Sequence, residues 1–90
     1  MLQSGFFTRI EWDSIAKHFD LTSREKEVVN LVAEGMAEEE IASSLRIARG
    51  TVKTHMRNVY RKISFDKKAN KIRMLLKFRE HTQTFEGARV

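Results

Sequence analysis

The chain has 90 residues, 41% hydrophobic and 32% charged, enough for one small domain with a packed core, which excludes wholesale disorder. It contains no cysteine, which excludes a disulfide framework and thiolate metal sites and fits a reducing compartment, so a cytoplasmic location is expected. No apolar run nears the roughly 20 residues of a membrane span, and the first ten residues lack a signal-peptide pattern. The net charge of +5 is unevenly spread: residues 1–45 carry four Lys/Arg against nine Asp/Glu (net −5), residues 46–79 twelve against one (+11), and the tail contributes −1. A one-sided basic half is the electrostatic footprint of a polyanionic partner, although a solvated face or an anionic membrane surface gives a similar count.

Apolar residues recur at helical rather than strand spacing, and proline is absent, so an all-α chain of four or five helices is predicted. The first helix is expected over Arg9–Phe19, opened by the capping-box pair Thr8 and Glu11, with Trp12, Ile15, Ala16 and Phe19 on one face. A second capping box, Thr22 with Glu25, opens a helix with Val28, Leu31 and Val32 inward that stops at Gly35. The third covers Glu38–Leu45, with Glu38, Glu39 and Glu40 in its first turn, where negative charge suits the helix dipole, and Ile41, Ala42 and Leu45 inward. The fourth spans about Arg49 to Ile63, with Val52, Met56, Val59 and Ile63 on its buried side and Lys53, Thr54, Arg57 and Arg61 opposite. Ser64, Phe65 and Asp66 break the pattern. A last helix is expected from Lys67 to Glu80, with Ala69, Ile72, Leu75 and Leu76 inward, and a disordered tail from 81 to 90.

A short helix at Glu38–Leu45, a turn at Arg46-Ile47-Ala48 and a second helix from Arg49 have the proportions of a helix-turn-helix. The second helix of such a unit offers its N-terminal half to the major groove, and Lys53, Thr54 and Arg57 lie there on the exposed side. Lysine and arginine reach the O6/N7 edge of guanine, and threonine meets a thymine methyl or a base acceptor.

Residues 21–63 resemble the LuxR-type helix-turn-helix domain of bacterial transcription regulators. The matching signatures are L-T-x-R-E-x-E-V, A-E-G, E-I-A, and T-V-K-x-H ending in R-K-I; the family's last helix matches weakly at Phe65 to Phe78. The resemblance implies a four-helix helix-turn-helix bundle, here with an additional short N-terminal helix, divided as an extension (1–20), a DNA-binding domain (21–80) and a tail (81–90). It implies a transcription regulator, or the output domain of one, that binds double-stranded DNA. Lys53, Thr54 and Arg57 would read bases, and Arg46, Arg49, Thr51, Arg61 and Lys62 would contact phosphates. Homodimerisation through the last helix, on DNA, and contact with RNA polymerase are expectations of the same origin; no cofactor, metal or membrane partner is implied. The chain departs from the family's pattern in lacking hydroxyl caps at Ala37 and Ala48, and in a last helix, KKANKIRMLL, that is unusually basic.

Two other readings of the function stand beside this one: a sigma-factor-like promoter-reading domain, whose E-I-A and T-V-K segments are similar, and a protein-interaction antagonist of a full-length regulator. Enzymatic activity is not expected, because no glycine-rich phosphate loop or serine–histidine–acid arrangement is present. His18, His55 and His81 share no ligand spacing. For assembly, Met74 and Phe78 are four apart on a second face of the last helix and form the expected dimer surface. The competing arrangement has the Arg9–Phe19 helix folding back over them, with Trp12 or Phe19 as the lid.

Overall fold

The computed structural model describes residues 7–63 and 70–87, with the side chains of 84–87 excepted. The described residues form five α-helices and no strand: α1 (Arg9–Phe19), α2 (Ser23–Ala33), α3 (Glu38–Leu45), α4 (Arg49–Lys62) and α5 (Lys71–Gly87). The all-α architecture with an added N-terminal helix is therefore as expected.

The helix ends follow from local chemistry. Thr8 and Thr22 each accept the backbone N–H three residues on, and Glu11 and Glu25 reach back to the cap N–H at 2.9 and 3.0 Å, closing both capping boxes. At Ala37 half of that device survives: its N–H donates to Glu40 Oε1 at 2.8 Å, while alanine offers no acceptor in return. α2 ends at Gly35, whose φ of 90° suits glycine and lets Met36 N–H bond the Leu31 carbonyl at 3.1 Å. Asp20 and Arg46 end α1 and α3 in the left-handed region without being glycine, which sharpens both turns at some conformational cost.

α4 packs against both α2 and α3, and α1 bridges α2 on one side and α5 on the other. The shared core is Trp12 and Ile15 of α1, Val28, Val29 and Val32 of α2, Ile41 and Ala42 of α3, Val52, Met56 and Val59 of α4, and Phe7, Ile63, Met74 and Phe78. The predicted stripe of α4 is buried throughout. In α2 the core takes Val29 in addition, and Leu31 is only partly buried.

The last helix departs from expectation. Met74 and Phe78 are completely buried, whereas Ile72 and Leu76 are 70% and 63% exposed; Leu75 is half-buried. The expected dimer surface is thus interior, and the lid arrangement is the one the chain adopts. Phe78 meets the rings of Phe19 at 5.6 Å, Trp12 at 6.0 Å and Phe7 at 6.4 Å. α5 carries two apolar stripes, and the aromatic surface of α1 buries the one bearing the phenylalanine. The helix also runs on past Glu80 to Gly87 rather than ending in a tail at residue 81. The reason is continued packing: Thr82 is buried, and His81 stacks on His18 of α1 at 4.3 Å. The expected start at Lys67, the inward Ala69, the 64–66 break and the last three residues of the tail lie outside the described residues.

Candidate nucleic-acid interface

α3, the turn at 46–48 and α4 make a compact helix-turn-helix. Arg46 turns the chain in the left-handed region, and Ile47 N–H bonds the Ala42 carbonyl at 3.0 Å, tying the turn to α3. Ala42 is buried and small, which suits the close approach of α3 to α4.

Burial of Val52, Met56 and Val59 fixes the rotation of α4. Lys53, Thr54, Arg57 and Arg61 are consequently exposed together on its outer side. Thr54 Oγ1 donates to the Gly50 carbonyl at 3.0 Å, so its oxygen keeps acceptor capacity. The first turn of α4 contains no acid, and Ala48 provides no side-chain cap. Its positive dipole end and its leading N–H groups are thereby left for an external acceptor. Thr51 lies exposed in that turn.

The cations divide into two groups. Lys53, Arg57, Arg61 and Arg46 are exposed and make no ion pair among the described residues. Arg49 is held on the α3 side by Glu39 at 3.4 Å and Glu38 at 3.9 Å, an exposed and weak pairing. Lys62 differs from all of them. Its ammonium bonds Glu25 Oε1 at 2.7 Å and the Asp20 carbonyl at 2.9 Å. Burial pushes the Glu25 carboxyl upward, but the hydrogen bonds from Lys62 and the Thr22 backbone, with the charges of Lys62 and His55, outweigh it and hold the group below the usual carboxylate range. Lys62, expected at a phosphate, instead ties α4 to α2 and to the end of α1. The structure therefore brings Lys53, Thr54, Arg57 and Arg61 together with the helix start at Arg49 and Thr51, and leaves Lys62, Met74 and Phe78 outside this surface.

Beside α4 runs a groove of about 260 Å³ with Val32, Ile41, Val52 and Met56 at its base and Lys53, Arg57, Tyr60, Glu38 and Lys71 among its lining. Burial, followed by the nearby charge of Glu38, raises the Tyr60 hydroxyl above its ordinary range, so it stays a neutral phenol. Lys71 belongs to α5 and was not among the expected contacts. Its only local signal is a lysine in the first turn of a helix, where the dipole disfavours it.

The chain is also similar in sequence to known proteins. The family model described as "Bacterial regulatory proteins, luxR family" matches residues 20–75. Proteins named HTH-type transcriptional regulator MalT, from two strains of Klebsiella pneumoniae, are each 38% identical over 63 residues, covering 66% of this chain. The chain spans about 7% of the length of these relatives. No solved structure matches it.

Proposed function

Because the chain belongs to the luxR family of bacterial regulatory proteins, we propose that it is a sequence-reading DNA-binding unit of a transcription regulator, with α4 as the helix that enters the major groove. The observation that carries this reading is the row of cations on the exposed side of α4, Lys53, Arg57 and Arg61, which make no ion pair among the described residues. Three like charges gathered on one helix face gain from a polyanion.

In this reading Lys53, Thr54 and Arg57 meet base edges. Arg46, Arg49, Thr51 and Arg61, with the open start of α4, hold phosphates and set the register. Arg49 must give up its glutamate partners to do so, which an exposed pair does at small cost. The family match favours a luxR-type regulator over a sigma-factor-like domain. The relatives are named transcriptional regulators, and regulation of transcription is proposed here on that likeness.

Selection of bound duplexes from a random pool, followed by a salt titration on the preferred site, tests the proposal. With three cations on phosphates, affinity falls by about 40-fold or more between about 50 and 200 mM salt. On the selected site, Lys53→Ala costs about 1–3 kcal/mol and relaxes preference at one base position. A flat salt titration overturns DNA binding by this surface, and uniform weakening over all single-base variants overturns the base-reading role of Lys53.

A further inference from the structure

The groove beside the recognition helix receives a cation from another part of the fold. Lys71 opens α5, yet it lines the same groove as Lys53 and Arg57. It is exposed, and none of these three makes an ion pair among the described residues. The one acid among the groove's described lining residues, Glu38, is directed to Arg49. α5 has no acid in its first turn, so the lysine stands at the positive end of its own helix with no acidic side chain in that turn. The start of α5 is nevertheless anchored, because Met74 three residues on is buried in the core and Arg73 N–H is capped by Asn70 Oδ1 at 2.9 Å.

Two unfavourable arrangements therefore coincide: like charges gathered along one groove, and a lysine against a dipole. One anion placed on that side relieves both. We infer that Lys71 is a DNA phosphate contact, so that the nucleic-acid surface extends from α3 and α4 onto the first turn of α5. This rests on the reading that α4 binds DNA, since the anion follows from the position of Lys71 along the edge of that helix. Lysine suits the task as a point charge on a flexible stem, which favours phosphate over directional base reading. The inference gives α1 a part in binding: by packing on Phe78 and His81 it holds α5 where Lys71 lines the groove.

The test compares salt titrations of the whole chain and three variants on the selected duplex and on a scrambled one. Lys71→Gln lowers affinity on both duplexes by the same factor and makes the salt slope shallower by about 0.9, so that the loss between about 50 and 200 mM salt is about 3.5-fold smaller than for the unaltered chain. Lys71→Arg keeps the slope. Lys77→Gln, on the same helix but beside the His18–His81 stack, leaves it unchanged and controls for net charge. A Lys71→Gln slope equal to that of the unaltered chain, or an equal change from Lys77→Gln, overturns the inference while DNA binding by α4 stands. An unaltered chain that binds no duplex removes both.

Discussion

Lys62 shows how a residue's environment overrides the role its place in a motif suggests. It sits one turn beyond Asn58 on α4, near enough to the basic face to be counted with it. What redirects it is Glu25, whose side chain is only 4% exposed against 29% for the lysine. A carboxylate that deep needs compensation, and the nearest ammonium is taken for it. Lys62→Met leaves that carboxylate uncompensated and should lower unfolding stability by about 2–4 kcal/mol in urea titrations. Adding Glu25→Gln should restore part of the loss. At protein concentrations and temperatures where the single variant is still folded, its DNA salt slope should match that of the unaltered chain. A shallower slope would return Lys62 to the phosphate contacts.

At the scale of elements, α5 is the instructive case. Ile72 with Leu76, and Met74 with Phe78, are both apolar pairs at a spacing of four, so helical periodicity supports either face as the inner one. The choice belongs to α1, which presents Trp12 and Phe19, and to Phe7 just before it. Edge-to-face and tilted ring contacts add to the area buried and favour the stripe with the phenylalanine. Phe78→Ala should therefore cost about 3–5 kcal/mol of stability, a large part of what a domain of this size has. Leu76→Ala should stay within about 0.5 kcal/mol. Equal losses in thermal melts of the two variants would contradict the packing of α5 described above.

On the scale of the whole molecule, the α1–α5 contact is also where stability should depend on pH. His81 stacks on His18 and its Nε2 lies 2.9 Å from Ser14 Oγ. Burial, and then the charge of His18, hold its pKa below the ordinary histidine value, with Ser14 acting in the opposite direction. Glu80 and Lys77 line the same recess. A histidine whose folded pKa is depressed binds its proton more readily in the unfolded chain. Its contribution is thus present above the unfolded pKa and is lost as pH falls through the folded one. Melting temperature should fall between about pH 7 and pH 5, and His81→Gln should flatten that profile. The protein's only tryptophan, Trp12, lies in the adjoining aromatic cluster, so its fluorescence should report any loosening of α1 in the same range. A profile identical in His81→Gln would assign the pH dependence to other groups.

What the sequence determined by itself is local. The two threonine–glutamate capping boxes, the stop at Gly35, the short third helix and the buried stripe of α4 all depend on residues within a few positions of one another. So the helix-turn-helix and the exposure of Lys53, Thr54 and Arg57 were legible in it. Three features were decided only in the tertiary structure: the inward face of α5, the engagement of Lys62 by Glu25, and the arrival of Lys71 in the groove that Arg57 lines. Each joins residues distant in sequence, and each turns on which of two chemically adequate partners is brought near. Periodicity identifies an apolar stripe and charge identifies a cation. Neither says which surface will be waiting opposite, because that is fixed by how α1, α2 and α5 pack together.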